Sequence, residues 1–153
     1  MTTMPEINEE RFFIELTHEV IDSEAVVARL LRGEAGAVVT FDGVVRNNTK
    51  GRRTLYLEYE GYETMAVKEM RRIAERTVAE FPDLDRLAIV HRLGRLEITE
   101  TSVLIVVTSP HRKTAFHACH YAIDRVKESV PIWKREFFED GEVWVEGQTP
   151  PGF

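Results

Sequence analysis

SVLIVVTSPHRKTAFHACHYAIDRVKESVPIWKREFFEDGEVWV, residues 102–145, changes hydrophobic period twice, and the fold class follows from those changes. Ser102 to Thr108 is an unbroken run of apolar and β-branched residues, which reads as a strand in the middle of a sheet. From about His111 the spacing becomes helical. With Lys113 as zero and about 100° per residue, Ala115, Phe116, Cys119, Ala122, Ile123 and Val126 occupy roughly 180–300°, and Lys113, His117, His120, Asp124 and Lys127 roughly 320–40°. The helix runs to about Ser129, because Pro131 forbids its continuation. Phe137 to Val145 then holds Asp140-Gly141 between extended, aromatic-flanked arms, which predicts a hairpin closed by a two-residue turn.

The same two periods recur upstream. Arg86 to His91 reads as a strand. Ala66, Val67, Met70, Ile73, Ala74, Val78 and Phe81 form the apolar arc of a second long helix that Pro82 ends. Leu55, Leu57 and Tyr59 alternate with Tyr56, Glu58 and Glu60, as in a strand with one wet face. Gly36 to Val45 reads as a buried strand that gives way to the polar loop RNNTKGRR. Asp22 or Ser23 caps a short helix carrying Val26, Val27, Leu30 and Leu31, with Gly33 as its left-handed stop, and Arg11 to Thr17 is a first strand. Residues 1–10 are polar and aperiodic, so a loosely held terminus is expected. A single domain over residues 11–147 and a tail at 148–153 complete the chain. Interleaved strands and helices together with hairpins predict an α+β fold: a mixed or mainly antiparallel sheet, two long helices and a C-terminal β-hairpin.

The length of 153 residues suits one domain, and 43% hydrophobic with 30% charged residues is the balance of a globular protein. Twenty Lys and Arg against 26 Asp and Glu leave a net charge of −6, which argues against general nucleic-acid binding. Cys119 is the sole cysteine, so no disulfide forms within the chain. MTTMPEINEE lacks the basic stretch and apolar segment of a secretory signal, and no run approaches the ~20 apolar residues of a membrane span, so a reducing, cytoplasmic setting is expected.

In an acidic chain, clustered cations are informative. Arg46, Lys50, Arg52 and Arg53 share one loop; His111, Arg112 and Lys113 open the last helix; Lys127 and Lys134-Arg135 lie near its end. A helix start after Ser109-Pro110 offers free backbone N–H groups, and Arg112 adds a fork for phosphate or carboxylate; solvated capping charges fit the same residues. Lys127 borders the apolar arc, where partial desolvation and a neighbouring cation lower a lysine's pKa; a snorkelling surface lysine shares that spacing. Lys134 follows Pro131 on extended chain and is able to reach the same pocket. His117, His120 and Asp124 share a helical face, a weak metal pattern, and Cys119 sits mid-arc as a small buried side chain rather than a nucleophile.

GAVVTFDGVVRNNTKGRR (36–53), LEYEGYETMAVKEM (57–70), IVHRLGRLEI (89–98) and the segment 107–147 stand in an order that resembles the MoaE-type family, the catalytic large subunit of molybdopterin synthase, over about Phe12 to Gly147. The resemblance implies an α/β-hammerhead fold and a sulfurtransferase of molybdenum-cofactor biosynthesis. Such an enzyme converts cyclic pyranopterin monophosphate, precursor Z, to molybdopterin. Sulfur comes from the C-terminal Gly-Gly thiocarboxylate of a small ubiquitin-like partner subunit, with no metal or redox cofactor, and the large subunits form a homodimer within a heterotetramer. The family's active-site lysines match Lys127 and Lys134, its pocket arginine matches Arg46, and its His-Arg pair, contributed across the dimer, matches His111 and Arg112. The family loop Arg-Asn-His-Asn reads Arg-Asn-Asn-Thr here, so Asn48 replaces the expected histidine.

The resemblance gives the cations a shared purpose, since a cyclic phosphate and a thiocarboxylate are both anions. A tail without side chains needs backbone recognition, for which the strands of the 137–145 hairpin are suited. Two rival readings fit the residues: a non-catalytic module that binds a phosphorylated metabolite, and a metal-dependent hydrolase on His117, His120 and Asp124.

Overall fold

The computed structural model describes residues 3–147; the tail 148–153 lies outside the described residues. In chain order the elements are β1 (Thr3–Asn8), β2 (Phe12–Thr17), α1 (Ser23–Leu30), β3 (Ala37–Val44), β4 (Asn48–Thr49), β5 (Arg52–Gly61), α2 (Glu63–Glu80), β6 (Arg86–Arg92), β7 (Gly94–Leu96), β8 (Thr101–Ser109), α3 (Arg112–Ser129), β9 (Ile132–Phe138) and β10 (Val143–Gly147).

The strands form two sheets rather than one. The first has the order β1-β2-β6-β8-β3, with β2 and β6 parallel and the other neighbours antiparallel. Its inner strands alternate between two cores. Ile14, Leu16, Leu87, Ile89, Val103 and Ile105 face a large core shared with α2 and α3, whereas Phe13, Ala88, Val90, Leu104 and Val106 face a smaller one closed by Leu30 of α1. The second sheet, β10-β9-β5-β4 with β7 beside β5, is antiparallel throughout and carries the hairpin.

Both long helices match the periodicity. In α2 the buried residues are Ala66, Val67, Met70, Ile73, Ala74 and Thr77. In α3 they are Ala115, Ala118, Cys119, Ala122, Ile123 and Val126, an arc turned slightly away from Phe116, which is 60% exposed instead of buried.

Several expectations are corrected. Residues 3–8 are not a loose terminus; they pair antiparallel with β2, because backbone ladder bonds need no apolar periodicity. Asp22 caps α1 through Ala25 N–H, but the helix ends at Leu30 with Leu31 extended, so Gly33 is not its stop, and Leu31 is exposed. β3 is an edge strand, not a buried one, and leaves Val38, Phe41 and Val44 exposed. Leu55 is exposed because the β5–β9 register slips between Thr54 and Tyr56, which turns Thr54 inward in its place. The hairpin closes with three residues, not two. Phe138 N–H donates to Glu142 O at 3.1 Å and Gly141 N–H to Phe138 O at 3.0 Å, with Gly141 at φ 90°, the turn-plus-bulge arrangement that glycine permits. Arg52 clamps this turn, donating to both carboxylate oxygens of Asp140 at 3.1 and 3.0 Å and to Glu142 at 2.8 Å.

Candidate active site

Pro131 decides the geometry of the site. α3 delivers Lys127 on its last turn, Val130 caps the helix in an extended conformation, and the chain returns at once as β9. Lys134 is therefore brought back over the helix end. In the ladder it pairs with Tyr59 of β5 on one side and Glu146 of β10 on the other. Lys127 and Lys134 line one cavity of about 260 Å³ with Tyr59, His91, Glu146 and Gly147.

Gly147 is required at the rim. Its φ is 116°, and a Cβ there would stand 2.8 Å from Ile132 O and 2.9 Å from Trp133 Cα. Beneath β9, a smaller cavity of about 90 Å³ joins Lys127 and Lys134 to Arg46, Glu136 and Thr49. Arg46 also lines a cleft of about 330 Å³ with Lys50, Arg52 and Trp144, whose far wall is again Glu146. Three adjoining hollows thus run along the hairpin.

The electrostatics follow from this packing. Lys127 has its pKa lowered, first by burial of its amino group against the cavity wall and then by Lys134, while Glu146 opposes the shift. The residue as a whole remains exposed at the mouth of the cavity. Lys134 Nζ stands 3.6 Å from Glu146 Oε1. Glu136, also on β9, is buried and accepts from the hydroxyl of Thr49 at 2.6 Å and from that of Thr54. His91 is buried, and desolvation with the nearby Lys127 charge pushes its pKa down to about 4, against a hydrogen bond to Arg92 that raises it.

The residues singled out in the sequence divide into two groups. Arg46, Lys127 and Lys134 come together. His111 and Arg112 do not join them within one chain: both are exposed at the opposite end of α3, about 22 Å away for fifteen residues of helix. Asn48 has a local role, accepting from Gly51 N–H at 3.1 Å to close the turn between β4 and β5. Cys119 is buried and its thiol pKa is raised to about 11 by desolvation. His120 and Asp124 stand 3.4 Å apart on an exposed face, and among the described residues no three His, Cys, Asp or Glu side chains converge on a metal position. Among the described residues, no helix is long and apolar enough to cross a membrane.

Sequence reasoning missed Tyr59, His91, Glu136 and Glu146 as parts of the site. One signal existed for His91: it continues the inward row Leu87, Ile89, His91 and places a polar ring where the alternation calls for an apolar one.

The family model described as MoaE protein matches residues 16–129. A molybdopterin synthase catalytic subunit from Halalkalibacterium halodurans is 50% identical over 125 residues, 82% of this chain and 80% of that protein. One from Bacillus subtilis is 47% identical over 139 residues, 91% and 87% of the two chains. The crystal structure of molybdopterin synthase from Staphylococcus aureus is similar with a TM-score of 0.81 and 45% identity, covering 86% of this chain and 95% of that one.

Proposed function

The chain belongs to the MoaE protein family, and on that premise we infer that it is the catalytic subunit of a molybdopterin synthase, a transferase of molybdenum-cofactor biosynthesis. The observation that carries the chemistry is the pairing of Lys127 and Lys134 in one cavity, with the amino group of the first desolvated. The substrate in this reading is cyclic pyranopterin monophosphate, and the sulfur donor is the thiocarboxylate at the end of a small ubiquitin-like subunit. Sulfur arrives already activated, so the proposal includes no resident metal or redox cofactor.

Lys127 and Lys134 supply positive charge where the thiocarboxylate enters and where an acyl intermediate develops negative charge. Arg46 extends that charge to the next hollow, where a phosphate is held. β10 is an edge strand with exposed residues throughout, so its outer backbone is available to an extended Gly-Gly tail. His111 and Arg112 complete the site from a second copy. The exposed apolar residues Val38, Phe41 and Val44 on the β3 edge suit that self-association, and β3 begins beside Ser109, two residues before His111.

The test is to incubate the protein with precursor Z and a thiocarboxylated small subunit and to measure the dithiolene product, with Lys127→Ala in parallel. Product from the native chain is expected, with a loss of at least ~100-fold in the variant, the scale of a removed proton-transfer or charge-stabilising group. The variant should melt with the native protein, because Lys127 is exposed by area and adds little packing. No product from folded protein with active partner would return the site to a non-catalytic anion-binding module.

A further inference from the structure

We propose that His91 is a positioning residue of this site, its Nε2 lone pair accepting a hydrogen bond from the Lys127 ammonium through one water in the cavity they share. The inference deepens the sulfurtransferase reading and rests on it for the purpose of Lys127, but the geometry stands on its own.

His91 lies near the end of β6, 5% exposed, and its ring meets Tyr59 edge-on with centroids 5.2 Å apart. Nδ1 is 3.0 Å from the carbonyl oxygen of Arg92. A carbonyl only accepts, so Nδ1 carries the proton and Nε2 is left as an acceptor. Ring packing and a fixed tautomer make that acceptor rigid. The cavity it lines holds two lysines, which when protonated donate and cannot accept, and its size admits water.

Apart from the Tyr59 hydroxyl, the neighbours of the pair leave this role to His91. In the ladder β2 and β8 place Leu16 and Val103 opposite it, which offer no side-chain acceptor. The titratable and charged groups lining the two hollows around Lys127 are Tyr59 of β5, Lys134 and Glu136 of β9, Glu146 of β10, and Arg46 after β3. Glu146 stands beside Lys134 and Glu136 accepts from two threonines, so each carboxylate already has a partner. A neutral acceptor below Lys127 orients its ammonium without cancelling the positive charge that an incoming anion requires. A third carboxylate in that place would cancel it.

The experiment compares native protein, His91→Phe and His91→Gln by competitive acetylation of Lys127 with acetic anhydride as a function of pH, read by mass spectrometry on folded protein. Phe keeps the ring volume and loses the acceptor; Gln keeps an acceptor close to the place of Nε2. Loss of the acceptor destabilises the protonated lysine, so the labelling midpoint should fall by about one pH unit in His91→Phe and stay near native in His91→Gln. Turnover should follow the same order, lower by about tenfold in Phe and largely restored in Gln. An unchanged midpoint in His91→Phe, or a midpoint in His91→Gln that moves as far as in Phe, overturns the proposal. Because labelling needs no substrate or partner, this result is independent of whether native protein forms the dithiolene.

Discussion

Lys134 and Glu146 stand opposite each other in the β9–β10 ladder, Nζ to Oε1 3.6 Å, and they act on Lys127 in opposite directions. The cation of Lys134 disfavours a second proton-bearing ammonium nearby, whereas the carboxylate of Glu146 favours it. The ion pair joins the half-buried Lys134 of an inner strand to Glu146 on the exposed edge strand, and it contributes little stability, on the order of 0.5 kcal/mol or less.

Substituting either partner should therefore move Lys127 in a known direction. In Glu146→Gln the pKa of Lys127 falls further, and its labelling midpoint shifts to lower pH. In Lys134→Gln the repulsion is removed and the midpoint rises. Displacements of the same sign in the two variants would contradict the arrangement. Melting temperatures should change little in either case, because a partly exposed ion pair contributes little stability.

The separation of Arg112 from Lys127 along α3 leads to a complementation experiment. If each site takes its His-Arg pair from the second copy, Lys127→Ala and Arg112→Ala are inactive as separate homodimers. Mixed and allowed to exchange, they form hybrids with one site carrying both lesions and one carrying neither. About a quarter of native activity should then return, since half of the dimers are hybrids and each has one intact site. A mixture that stays inactive after verified exchange would show that Arg112 does not act across the dimer, and an Arg112→Ala protein with native activity would remove it from the site.

The fold was legible where burial imposes a period. α2, α3 and β8 each bury one arc or both faces, and their residues announce it. What escaped was held by backbone pairing or local turns. β1 rests on ladder bonds to β2, β4 spans two residues, and Leu55 was misplaced by a bulge that no side-chain pattern encodes. The site shows the same division. Lys127 stood out because it borders an apolar arc. Glu146 looked like any strand-edge carboxylate, and only the β9–β10 register places it across from Lys134.

Cys119 supplies a probe of the core. Burial raises its thiol pKa to about 11, so near pH 8 almost none is thiolate, the reactive form. Modification by a disulfide reagent should be slow in native protein and follow the urea unfolding transition. Rapid labelling without denaturant would show that α3 opens locally at far lower cost than global unfolding.

The buried His91 should also make the protein sensitive to acid in a defined window. An unfolded histidine takes up a proton near pH 6.5, whereas His91 in the native chain does so at about 4. Between those values the unfolded chain binds more protons, so the linkage relation makes stability rise with pH there and fall as the solution is acidified. The full difference corresponds to on the order of 3 kcal/mol, complete once pH has dropped below the native value. Urea unfolding at about pH 7 and about pH 4 gives the total loss, to which carboxylates also contribute. His91→Phe cannot take up that proton, and its carboxylates are those of the native chain, so the difference between the two proteins isolates the histidine. The variant should lose less stability on acidification by about that amount. Equal losses in the two proteins would mean that His91 is solvated well enough to titrate near its ordinary value.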